Sequence, residues 1–109
     1  MQTPPPDPDA DTRANDRLDG GVVLRLSVRN HPGVLSHVSG LFARRAFNVD
    51  GILCLPIGDG VQSAILLLVR ADERLEQLAL QLAKLEDVLE IRPEPDGRRA
   101  FAAVAAYLA

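Results

Sequence analysis

From Val22 to Arg29 apolar and polar residues alternate. Leu24, Leu26 and Val28 fall on one side and Arg25, Ser27 and Arg29 on the other, which describes a strand covered on one face. The period then changes. Val34, Leu35, Val38, Leu41 and Phe42 recur at helical spacing, placing a helix from about Pro32 to Ala46. Phe47 to Ile57 reads as a second strand, followed by Gly58-Asp59-Gly60, a hairpin turn of residues that tolerate positive φ. The third strand, Val61 to Val69, contains a run from Ala64 that is apolar on both faces. Asp72 is placed to cap a second helix, in which Leu75, Leu78, Leu82 and Leu85 form one stripe while Glu73, Glu76, Gln77 and Lys84 occupy the wet side. Val88 to Arg92 is a fourth strand, ended by Pro93 and Pro95. Residues 98–109, with Phe101, Val104, Tyr107 and Leu108 among alanines, fit a short helix or an added strand equally.

The order βαββαβ defines an α+β, ferredoxin-like sandwich: a four-stranded antiparallel sheet with two helices on one face. Residues 1–20, rich in proline and aspartate and without periodicity, read as a disordered leader. The domain proper is 21–95, and 96–109 is a C-terminal tail. Two helices cover only one face of four strands. Ile52, Leu53, Cys54 and Leu55, with the two-faced third strand, therefore leave apolar surface on the other face or at the edge. A folded part of about 75 residues is also marginal alone, since small domains bury a low fraction of their surface. Both points imply a dimer or another partner.

A net charge of −3 and a pI near 5.2 give no electrostatic footprint for nucleic acid or an anionic membrane. A single cysteine excludes an intramolecular disulfide. No stretch resembles a secretory signal or is long enough to span a bilayer, so a cytoplasmic location is expected.

The switch of period falls on Asn30-His31-Pro32-Gly33-Val34-Leu35. Proline suits the first helical turn, and glycine lets a ligand approach the backbone. The unpaired N–H groups of Gly33, Val34 and Leu35, reinforced by the helix dipole, would then face a small carboxylate. On spacing alone the segment also reads as a plain strand-to-helix turn. No constellation for catalysis is present. His31 and His37 lack a cysteine or carboxylate at metal-ligand spacing. Cys54, between leucines, reads as a buried, inert thiol; Asp50 and Asp59 read as turn or strand-end carboxylates. Arg44 and Arg45 suit the negative end of a helix dipole or a contact to a partner protein. The strands lack the aromatic residues that RNA-recognition modules of this topology need.

The run NHPGVLSHVSGLFARRAFNVDGILCLPI, residues 30–57, and the run DERLEQLALQLAKLEDV, residues 72–88, closely resemble the ACT domain of the small regulatory subunit of acetohydroxyacid (acetolactate) synthase, in its short single-domain form. The resemblance spans roughly residues 22–92. It implies a non-catalytic, cytoplasmic homodimer that binds a branched-chain amino acid, valine first, between protomers. Such a subunit activates a separate catalytic subunit and confers feedback inhibition on it in branched-chain amino-acid biosynthesis. Thiamine diphosphate, Mg²⁺ and FAD would belong to that catalytic partner, and none is expected in this chain. Carried over by position, the effector site falls on Asn30, Gly33, Val34 and Leu35. Asn48 would reach the effector from the neighbouring protomer. A free-standing ACT amino-acid sensor acting on another protein is the alternative.

Overall fold

The computed structural model describes residues 21–109; the leader expected over 1–20 lies outside the described residues. The order is β1 (Gly21–Arg29), α1 (Val34–Arg44), β2 (Val49–Ile57), β3 (Gln62–Arg70), α2 (Leu75–Ala83), β4 (Val88–Pro93) and α3 (Gly97–Leu108). The four strands form one sheet in the order β2-β3-β1-β4. Both neighbours of β1, and the β2–β3 pair, are antiparallel. The expected βαββαβ sandwich is therefore present.

Alternation along β1 sorts its side chains as the pattern requires. Leu24, Leu26 and Val28 face the helices and join Ile65, Leu67 and Val69 of β3 in the main core. Val38, Leu41 and Phe42 close it from α1, and Leu78 and Leu82 from α2. Leu26, Ile65, Leu67 and Leu82 are among the side chains fully removed from solvent, each contributing about 1.5–3 kcal/mol of burial.

The second face is not bare. Residues 98–109, which fitted a short helix or an added strand equally, are helical up to Leu108 in α3, and its Phe101 packs on Val23 and Leu68 in a separate small core. A helix can lie there because Gly51 of β2 has no side chain: a Cβ at that position would stand 2.7 Å from the Phe101 ring. The two-faced apolar run of β3 is thus explained in part by this third helix, which the expected count of two helices did not include.

Cys54 departs from the expectation of a buried thiol, for it is exposed. Its cross-strand partner Ile65 is fully buried, but β2 is an edge strand of the sheet and Cys54 stays open to solvent. Helix α1 is also shorter than its periodicity suggests. Pro32 lies in the preceding turn rather than in the first helical turn, and the helix starts at Val34. Asp72 acts one step early, accepting from the Arg74 N–H at 2.7 Å ahead of α2.

At its other end α1 stops in a Schellman turn. Phe47 N–H donates to the Phe42 carbonyl at 3.0 Å and Ala46 N–H to that of Ala43 at 3.3 Å. The Phe42 and Phe47 rings meet at 6.4 Å between centroids, the apolar contact that accompanies this motif. Ala46 takes the left-handed position with φ 51°, which costs an L-residue with a Cβ about 1–2 kcal/mol. Ala46→Gly removes that strain but adds freedom to the unfolded chain. Urea unfolding should show a net gain of about 0.5–1 kcal/mol.

Candidate functional site

Three connections meet at the end of the sheet where β1 finishes. Asn30 N–H donates to the Val61 carbonyl at 3.0 Å, and the Asn30 side-chain amide donates to the Gly60 carbonyl at 2.7 Å, which fixes the β1–α1 loop to the β2–β3 turn. On the other side, Arg29 N–H donates to the Asp87 carbonyl and Arg29 Nη1 to the Glu86 carbonyl, both at 2.9 Å, tying the strand end to the α2–β4 turn. The loop that carries the expected anion site is held from both flanks.

Gly33, the residue that precedes and caps α1, has φ 89°. Its glycine is explained by this left-handed backbone, which residues with a Cβ rarely adopt; a Cβ there would meet nothing within 4 Å. The expected role, leaving room for a ligand, is compatible with that open space. The N–H groups of Gly33 and Leu35 find no acceptor among the described residues, while that of Val34 makes only a long 3.4 Å bond to the His31 carbonyl. Loose donors, a helix N-terminus and solvent access make a place for an anion. Leu35, read as part of the apolar helix stripe, is 41% exposed and stands beside these donors as an apolar wall.

One N–H of the Asn30 side-chain amide is engaged by Gly60, which leaves its second N–H and its Oδ1, the latter an acceptor suited to an ammonium group. Asn48 lies at the opposite end of the sheet in the same chain, just before Val49, which pairs with Val69, whereas the loop adjoins the Ile57↔Gln62 end. It is exposed and donates to Asp50 Oδ1 at 3.2 Å. One chain therefore brings Asn30, Gly33, Val34 and Leu35 together but not Asn48.

His31, which spacing had set aside, is the added member of the site. Its Nδ1 bonds the Pro32 carbonyl and its Nε2 the Asp87 carboxylate. Both partners are acceptors, an environment that favours the doubly protonated ring. The Pro32 carbonyl and, next, the Asp87 side chain raise its pKa above the usual 6.5. The ring belongs to the residue two positions before Gly33, the first of the free N–H groups. No sequence signal joins positions 56 residues apart; only the fold of the α2–β4 turn does so.

Other concave spaces lie away from these donors. A cavity of about 260 Å³ is lined by Arg45, Phe47, Arg74, Gln77, Leu78 and Gln81. Another, of about 350 Å³, follows the β2–β3 turn at Ile57–Asp59, Val61 and Gln62, next to the Gly60 that Asn30 binds. Among the described residues no group of three or more His, Cys, Asp or Glu is arranged to hold a metal, and no helix is long and apolar enough to cross a membrane.

Comparison with known proteins identifies the domain. Residues 24–90 match the model of the AHAS small subunit-like ACT domain. The chain belongs to this family. It is 56% identical over 86 residues to the acetolactate synthase isozyme 1 small subunit of Escherichia coli K12, covering 79% of this chain and 90% of that one. To the probable acetolactate synthase small subunit of Methanothermobacter thermautotrophicus it is 39% identical over 74 residues, or 64% of this chain and 42% of that. The acetolactate synthase small subunit of Thermotoga maritima superposes with a TM-score of 0.61 at 32% identity, over 67% of this chain and 46% of that. The chain thus spans most of the first relative and under half of the other two. An ACT domain from the GTP pyrophosphokinase of Chlorobium tepidum, with a TM-score of 0.55 at 17% identity, shares the fold.

The His31 arrangement generates a pH dependence. With its pKa raised in the folded state, His31 stabilises the loop fully below its unfolded value of 6.5, and the contribution is lost as pH rises through the raised folded value. An NMR titration of the His31 ring should give a midpoint above 6.5, and Asp87→Asn should lower it. An unchanged midpoint in Asp87→Asn means that the carboxylate does not hold the ring.

Proposed function

We propose that this chain is the regulatory subunit of an acetohydroxyacid (acetolactate) synthase. It binds a branched-chain amino acid, valine first, and confers activation and feedback inhibition on a separate catalytic subunit. The observation that carries the effector reading is the set of loose donors at Gly33 and Leu35 beside His31, whose pKa is raised, and the free Oδ1 of Asn30. A free amino acid has an anion and a cation one carbon apart. The loop offers N–H groups and positive charge to the first and a carbonyl oxygen to the second, with exposed Leu35 for the branched side chain. The similarity to a small subunit from Escherichia coli, over 79% of this chain and 90% of that one, supports the regulatory reading over a free-standing ACT sensor.

The site gains its remaining wall from a second copy. Strand β2 is one of the two edges of the sheet, β4 being the other, and an open edge favours addition of another strand. Antiparallel pairing of β2 with its equivalent brings the start of one strand, with Asn48, towards the end of the other, near the turn that Asn30 grips. An effector held across that seam changes its contacts whenever the protomers shift, which is how binding becomes a signal. Thiamine diphosphate, Mg²⁺ and FAD belong to the catalytic partner in this reading. The role assigned to the chain is cytoplasmic and non-catalytic.

Sedimentation of the chain at tens of micromolar should show a dimer or larger species. Alone it should form no acetolactate. Added to the catalytic subunit of the same organism it should raise activity and make that activity valine-sensitive, with a coupling of about 1–3 kcal/mol, or roughly 5- to 150-fold between states.

Gly33→Asp places a negative charge at the helix N-terminus, where the carboxylate of valine is to sit, and forces a Cβ into left-handed backbone at a cost of roughly 1 kcal/mol. The variant should stay folded, lose calorimetric valine binding and retain activation without inhibition. Wild-type valine affinity in the folded variant would move the site elsewhere.

A further inference from the structure

The sheet face opposite α1 and α2 is covered only in part. Phe101 of α3 seals the end of the face at Gly51, Val23 and Leu68. Further along the strands Leu53 of β2 and Leu66 of β3 are only partly buried, and Leu55 is 68% exposed. These three residues share a face by register, since Leu53 opposes Leu66 and Leu55 opposes Ala64.

Arg25 of β1 lies on the same face, with Leu66 on one side and Arg92 of β4 on the other as cross-strand neighbours. Its Nε is buried and finds no acceptor among the described residues. A guanidinium N–H without water or an acceptor costs free energy. A core residue chosen for stability alone would be apolar at this position. The face therefore combines an apolar strip with a buried donor that lacks its acceptor.

We propose that this face docks the catalytic subunit, through a segment of that protein that places a carboxylate against Arg25 and apolar side chains over Leu53, Leu55 and Leu66. The inference rests on the regulatory-subunit reading and names the surface that reading requires. Charge selects this occupant over a second copy of the chain. By alternation Arg25, Arg29 and Arg92 share the face with Glu90, opposite Ser27, and with Glu94, which is already paired with Arg92 at 3.7 Å. Self-packing of the face would set an excess of positive charge against itself, whereas an acidic segment would complete the Arg25 hydrogen bonds in a dry setting, where charge-assisted pairs are strongest. Docking here also leaves β2's edge and the Asn30–Leu35 loop open, so that catalytic partner, second copy and effector occupy separate surfaces.

The test titrates wild-type, Leu55→Glu and Arg25→Met chains against the purified synthase catalytic subunit of the same organism. Each chain alone is also examined by sedimentation, urea unfolding and valine calorimetry. Both variants should keep wild-type self-association and valine affinity while binding the catalytic subunit about tenfold or more weakly, the loss expected for a central anchor. Arg25→Met should unfold at the same or a higher urea concentration, because it removes an unpaired buried donor; loss of docking without loss of stability separates an interface residue from a structural one. Wild-type affinity for the catalytic subunit in both variants overturns the assignment, as does loss of self-association in the chain alone, which would make the face a contact between copies. Failure of the wild-type chain itself to bind the catalytic subunit removes the regulatory-subunit reading, and the docking face with it.

Discussion

Everything at the candidate site depends on β1 being held in the middle of the sheet. Its ladders to β3 and β4 leave no freedom in where Arg29 ends, and the loop that follows inherits that rigidity. Asn30 then anchors to the β2–β3 turn and Arg29 and His31 to the α2–β4 turn. The backbone donors at Gly33 and Leu35 are thus presented on a fixed frame rather than on a mobile connection. An anion site made of N–H dipoles works only if the dipoles do not have to be ordered at the moment of binding.

The same central strand divides the molecule into two chemistries. Its even-numbered residues Leu24, Leu26 and Val28 hold the main core against α1 and α2. Odd-numbered Val23 and Arg25 face the other way, Val23 under Phe101 and Arg25 with a buried Nε that finds no acceptor among the described residues. A chain this small gains much of its stability from the first face and has the second to spare for association. Surfaces for the effector, a second copy and a larger partner can then coexist within one domain because the sheet separates them.

Much of this was legible in the residues. Period-2 and period-3.6 patterns mark every strand and both helices over the main core, because one-sided burial imposes those periods directly. The loop at Asn30–Leu35 stood out for the same reason, as the place where the period changes. Other features depend on contacts that no local pattern encodes. Residues 97–108 form a helix that rests on Gly51, a position that reads as an ordinary strand glycine until Phe101 is set above it. Cys54 is flanked by leucines but lies on an edge strand, and strand order is not written in the composition of β2. Gly33 was marked as special, yet its positive φ, rather than close ligand approach alone, is what excludes other residues. His31 and Asp87 meet only because β4 returns beside β1, and Arg25 looked like an ordinary outward-facing position of an alternating strand.

The account stands on the claim that the backbone N–H groups opening α1 hold the carboxylate of the effector. It is tested most directly by following the amide resonances of the ¹⁵N-labelled chain during titration with valine and, in parallel, with valinamide, which lacks the carboxylate. The account predicts saturable shifts at Gly33 and Leu35 with valine, and little or no response at either amide with valinamide. Shifts that appear equally with both ligands, or that centre on the cavity at Arg45 and Arg74 while Gly33 and Leu35 stay still, would contradict it.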